Sequence, residues 1–164
     1  MKRTRFFTLL LALLLCVSVL CMTAYAESDA WDGRTAEAFA DGDGSESTPY
    51  QIANGAQLYY LTLQSDTNHY YVLTDDINLG NQPFPIINTF SGVLDGDGHK
   101  IINLYITSGT SNCAAMIATC TGTVKNLSIY GTVASTSRYT AAIAGKLSGG
   151  TIAVSYTHLT LPTN

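Results

Sequence analysis

Charge is scarce in this chain. Acidic and basic side chains make up 12% of its 164 residues, about half the usual globular share. Proline is also rare, at four residues, and tryptophan occurs once, against fourteen glycines and ten tyrosines. These shortages exclude a disordered polyelectrolyte, a collagen and a coiled coil, each of which carries a different bias. Eight basic residues stand against twelve acidic ones, so the basic footprint of a nucleic-acid binder is missing. All twelve acids lie between Glu27 and Asp97, and none follows. The cysteines show no zinc spacing: Cys113 and Cys120 are seven apart with no paired histidine nearby. No metal and no cofactor is expected from this sequence.

What is present begins with a leader. Lys2, Arg3 and Arg5 precede an apolar run from Phe6 to Met22, and Ala24-Tyr25-Ala26 supplies the small residues of a cleavage site. Residues 1–26 therefore read as a secretory signal peptide. A transmembrane anchor is the competing reading, but the run is at the short limit for spanning. A lipid anchor on Cys16 or Cys21 fails because Leu15 and Leu20 precede them. Cleavage would leave five basic residues against twelve acidic, a balance of −7, with no membrane span. It would leave Cys113 and Cys120 as the only cysteines, either as buried thiols or, in an oxidising compartment, as a bridge.

Residues 27–69 read as an N-terminal cap containing one short helix over about 54–65. Asn54 can accept from the first free amides, Gln57 can reach back, and Leu58 and Leu61 share a face. From Tyr70 onward short β-branched and aromatic runs alternate with Gly, Asn and Asp, the pattern of strands and turns. The runs repeat. Val72-Leu73-Thr74-Asp75 resembles Val93-Leu94-Asp95 after 21 residues, and Ile101–Ile106 resembles Val124–Ile129 after 23. Ala114-Ala115-Met116 returns as Ala141-Ala142-Ile143 after 27, and Gly122-Thr123-Val124 as Gly150-Thr151-Ile152 after 28. Such spacings suit the coils of a β-solenoid, in which each unit buries its apolar face by stacking on its neighbours. An antiparallel sandwich with chance similarity is the rival.

Within the repeated hexads the apolar positions are 101, 104 and 106, or 124, 127 and 129. Strict strand alternation slips once in each, at Asn103 and at Asn126. A slip marks a corner, and Asn tolerates the left-handed backbone that a tight corner needs. The expectation is that Asn103 and Asn126 stack as a corner ladder, with Leu104 over Leu127 and Ile106 over Ile129.

With those residues in hand, the sequence resembles bacterial secreted surface proteins that carry GLUG-type repeats on a right-handed parallel β-helix of the pectin-lyase-like kind. Four stretches carry the likeness: Trp31-Asp32-Gly33 through Pro49-Tyr50-Gln51-Ile52, the Leu58/Leu61 helix, Leu73 through His99, and Ile143-Ala144-Gly145 through Ile152. The motif's glycines are replaced at Ala114–Thr119, a degenerate rung. The resemblance implies an all-β fold, a right-handed parallel β-helix over residues 70–153 behind the cap. It also implies an extracellular, non-catalytic, adhesin-like or spacer role at the cell surface, with polysaccharide or a host-surface ligand as partner. Its alternative is the N-terminal fragment of a polysaccharide lyase or glycoside hydrolase of the same fold. Residues 154–164 break the pattern and read as a non-native or disordered tail, leaving an open last rung prone to self-association.

Candidate chemistry is sparse, and no catalytic residue is assigned. Asp41-x-Asp43-x-Ser45 and Asp95-x-Asp97 read as turns rather than calcium loops, since Glu46 and Ile52 stand where an EF-hand needs Gly and Glu. Asp75, Asp76, Asp95, Asp97 and His99 form the one cluster suited to acid–base work, with Asp75 and Asp95 expected close if coils stack. Lys100 is its only nearby base, which favours solvated corners over catalysis. Tyr105, Tyr130 and Tyr139 are candidates for an outer, sugar-facing surface or plain strand filler. Asn126-Leu127-Ser128 matches a glycosylation sequon, although the corner explains Asn126 more simply.

Overall fold

A computed structural model describes residues 30–107, 113–135, 138–153 and 156–160. The expected signal peptide lies outside the described residues. The fold is all-β apart from one helix, and every strand pairing is parallel. In chain order the elements are β1 (Tyr50–Ile52), α1 (Gly55–Thr62), β2 (Tyr70–Leu73), β3 (Ile77–Asn78), β4 (Ile87–Phe90), β5 (Val93–Asp95) and β6 (Lys100–Ile106). There follow β7 (Cys113–Ala114), β8 (Ile117–Cys120), β9 (Thr123–Lys125), β10 (Ser128–Val133), β11 (Tyr139–Thr140), β12 (Ala144–Leu147), β13 (Thr151–Ala153) and β14 (Tyr156–Thr160). The sheets run β1-β2-β5-β9-β13, β14-β10-β6-β3, β12-β8-β4 and β11-β7. The chain thus visits three of the sheets in rotation, adding a strand to each in turn, and the β11-β7 pair joins only in the later passes.

Helix α1 starts where the sequence says it should. Asn54 has an extended backbone and its Oδ1 accepts from Gln57 N at 3.0 Å, while Gln57 Oε1 accepts from Ala53 N at 2.7 Å. One orphan amide of the first turn, Gln57 N, and the amide of Ala53 just before the cap are satisfied in this way. Leu58 and Leu61 are fully buried in the core, and the helix lies against β4. Gly55 is required for packing: a Cβ there would lie 2.4 Å from Trp31 Cβ.

Inside, aliphatic side chains stack in columns. Ile77, Ile101 and Ile129 follow one another across three strands, as do Tyr71, Leu94 and Val124. Their side chains are essentially without solvent exposure, and each buried aliphatic contributes roughly 1.5–3 kcal/mol. The inward sets 101, 104, 106 and 124, 127, 129 are all buried, which agrees with the hexad pattern.

The register differs from the sequence expectation. Ile101 lies opposite Ile129, Leu104 opposite Gly131, and Ile106 opposite Val133, with a bulge between Ile129 and Gly131. Leu104 therefore does not sit over Leu127, and Asn103 and Asn126 do not form a ladder. Both take the left-handed backbone, at φ 56° and 52°, but for different reasons. Asn103 is the extra residue of a bulge inside β6, and its Nδ2 donates to Asn78 Oδ1 at 2.9 Å. Asn126 is the corner between β9 and β10, and its Nδ2 donates to Asp95 Oδ1 at 3.0 Å. Two devices that skip one residue look alike in sequence.

Coil spacing departs too. Tyr70 pairs with Val93 after 23 residues rather than the proposed 21, whereas Thr123 pairs with Thr151 after 28 as read. Within the expected tail, Tyr156–Thr160 is ordered as a strand that pairs along β10, from Ser128↔Tyr156 to Thr132↔Thr160. Its aromatic and β-branched run is an ordinary strand signal that the hexad template passed over. Residues 154–155 and 161–164 lie outside the described residues.

Candidate functional site

The acidic cluster is dispersed by the register. Asp95 sits opposite Val72, not Asp75. Its Oδ1 accepts from Asp97 N at 2.9 Å and from Asn126, and its Oδ2 lies 3.0 Å from Lys125 Nζ. Partial burial pushes this carboxyl up, but the hydrogen bonds from Asp97, Lys125 and Asn126, with the lysine charge, outweigh it and hold it below the usual carboxylate range. One coil earlier, Asp76 Oδ1 accepts from Lys100 N at 2.9 Å and lies 3.3 Å from His99 Nδ1. Asp75 Oδ1 accepts from Asp76 N at 2.9 Å. These acids tie corners together, each to its own loop or to the next coil. The Asp41–Ser45 segment is likewise a turn: Gly42 and Gly44 have φ of 94° and 79°, and Asp43 Oδ1 accepts from Ser45 N at 2.9 Å.

The three candidate tyrosines do not form one stripe. Tyr105 is half-buried opposite Thr132, Tyr130 is exposed and stacks with His158 at 6.5 Å, and Tyr139 lies in another sheet beneath Arg138. Cys113 and Cys120 are buried free thiols. Burial raises both above the ordinary thiol range, which suppresses thiolate chemistry.

The residues that do converge were not singled out by sequence reasoning. They are the aromatics around α1. Successive residues of a helix project about 100° apart, so Tyr59 and Tyr60 enter different clusters. Tyr59 meets Trp31 and Phe84, with ring centroids 5.4 and 6.4 Å away, and Trp31 meets Phe84 edge-on at 5.3 Å. This cluster borders a cleft of about 340 Å³ that includes Gln82, Pro83 and Thr107. Trp31 is fixed there by Nε1–H donating to Arg34 O and by its main-chain N–H donating to Asn78 O.

On the other flank Tyr60 packs edge-on to Phe39 at 5.1 Å, Phe39 stacks on Tyr50 at 4.7 Å, and Tyr71 closes the group at 5.6 and 5.7 Å. A second cleft of about 340 Å³ opens among these rings, with Asp41, Asp66 and His69 at its edge. Burial pushes the Tyr71 phenol far up, with Tyr50 and Asp66 adding to the effect, so it stays a neutral donor. Both clefts have the size and mixed lining of a small-ligand site. The signal in the sequence was the Tyr59-Tyr60 pair on a helix, but its partners are spread from Trp31 to Phe84 with no period.

Comparisons with family models, with curated proteins and with solved structures give no match for this chain.

Proposed function

We propose that this chain is a secreted or cell-surface module, a right-handed parallel β-helix of the GLUG-repeat kind, that binds polysaccharide through its cap and does not catalyse. The observation that carries this reading is the pair of aromatic clefts flanking α1. Aromatic rings offer flat apolar area to the C–H faces of sugars, while nearby amides, hydroxyls and carboxylates meet the sugar hydroxyls. The solenoid reading is supported by the rotation of the chain through the same parallel sheets, and the right hand by the general rule for parallel crossovers. The non-catalytic reading is supported by the engagement of Asp76 and Asp95 in corner hydrogen bonds.

Retention of the protein on a panel of soluble and insoluble polysaccharides, with product analysis of the same samples, tests the proposal. The expected result is retention of the intact protein without chain cleavage, weakened by Tyr59→Ala or Tyr60→Ala. Retention on no polysaccharide would overturn the binding role, and release of oligosaccharides that stops in Asp95→Asn would replace it with the enzymatic one.

A further inference from the structure

The two clefts have similar volumes but different electrostatics. The Trp31–Tyr59–Phe84 cleft is lined by no charged side chain among the described residues. The Phe39–Tyr50–Tyr60–Tyr71 cleft has two carboxylates and, among the described residues lining it, neither Lys nor Arg. We propose that this second cleft takes the protonated amine of an amino sugar, a refinement that rests on the polysaccharide reading above.

The carboxylates have capacity left for a ligand. Asp41 Oδ1 accepts from Gly42 N at 2.8 Å and Asp66 Oδ1 from Asn68 N at 2.8 Å. Each of these bonds orients its carboxylate and occupies one of the two oxygens. Asp66 Oδ2 lies 3.8 Å from His69 Nε2, within ion-pair reach of a protonated imidazole but too long for a hydrogen bond. An ionised carboxylate accepts at both oxygens, and an ammonium brings three donors and no acceptor. Four aromatic rings line the same space, and their quadrupoles attract a cation at close range. Both features favour positive charge and disfavour a uronic acid, whose carboxylate would meet two like charges.

The remaining lining favours a sugar ring over a bare alkylammonium. Gln64 is fixed by Nε2 donating to Tyr60 O at 3.0 Å, which keeps a polar side chain with a second, accepting atom at the cleft. Together with Ser65 it gives the wall groups that match ring hydroxyls, for which a lysine side chain has no use.

The test is titration of the protein with the hexamers of glucosamine, N-acetylglucosamine and glucose, and with polylysine, in one buffer at fixed salt. Binding of the glucosamine hexamer at least tenfold more tightly than the other three, reduced to their level in the Asp41→Asn/Asp66→Asn double variant and unchanged in Asp43→Asn, supports the proposal. Asparagine keeps the amide-accepting oxygen at both positions, and circular dichroism checks the fold of each variant. Equal affinity for the glucosamine and N-acetylglucosamine hexamers, indifference to the double variant, or equal binding of polylysine overturns it. Retention on neutral polysaccharide that depends on Tyr59 but not Tyr60 would leave the broader reading standing while the amine site falls. Retention on no polysaccharide would remove the broader reading itself.

Discussion

Gly131 faces Leu104 across the bulge, and replacing it with Ala is the sharpest probe of the register. A Cβ at residue 131 would lie 2.2 Å from Leu104 O and 2.7 Å from Leu104 Cβ. Ordinary contact begins near 3.5 Å, so β6 and β10 must part by about 1 Å. Two hydrogen bonds flanking the bulge would stretch, at about 1 kcal/mol each, and overpacking adds roughly 1–3 kcal/mol. Restricting the unfolded chain returns about 0.4–1 kcal/mol. The net expectation is a loss of about 2–5 kcal/mol. Gly98→Ala is the comparison, because its φ is +83° and nothing lies within 4 Å of an added Cβ. That variant carries only the left-handed penalty, roughly 1–2 kcal/mol. Urea unfolding followed by far-ultraviolet circular dichroism reads both, with an unchanged slope required for the comparison. A Gly131→Ala protein as stable as the parent, or more stable than Gly98→Ala, would refute the Leu104–Gly131 pairing.

Three further outcomes follow from the same structure. Leu127 is buried at the Asn126 corner, and Leu127→Ala should lower stability by roughly 2–5 kcal/mol in the same urea assay. Asp95 has a carboxyl pKa lowered in the folded state, so the stability it supplies is present above its unfolded pKa, about 4, and is lost as pH falls through the lower folded value; acid titration of unfolding should show a weaker loss in Asp95→Asn. Cys113 and Cys120 should react with a thiol-specific disulfide reagent only on unfolding, because both are buried and raised in pKa; rapid reaction of the native protein would contradict their placement.

The sequence disclosed which way side chains face more readily than which strands touch. Burial of Ile101, Leu104 and Ile106 is written in their spacing, because a buried position must be apolar whatever lies beside it. Asn54 and Gln57 announced the helix start because capping is a local contact within four residues. Register is not local. Asn103 and Asn126 share a backbone conformation and a one-residue skip, yet one hydrogen-bonds Asn78 and the other Asp95. Choosing between the two pairings needed the close approach of Gly131 to Leu104, which only three-dimensional geometry reveals. The aromatic clefts were hidden for a related reason: Trp31, Tyr59 and Phe84 are brought together by the way the cap folds over the first strands, and no repeat in the sequence marks them.

The spacing between stacked strands is not constant, and that has a consequence for how this molecule can change. Along one sheet the offsets are 23 residues from Tyr70 to Val93, 30 from Val93 to Thr123 and 28 from Thr123 to Thr151, yet every pairing stays parallel. The corners absorb the difference, as where β7 and β11 enter only the later passes. Chain length at a corner is therefore decoupled from the alignment of the columns, in the way a hem can be let out without moving the seam. A foreign peptide spliced into the exposed turn at Ser148–Gly149, between β12 and β13, should be displayed at the surface while Ile101, Ile129 and their neighbours keep their partners. The fold would serve as a scaffold whose decoration evolves faster than its frame.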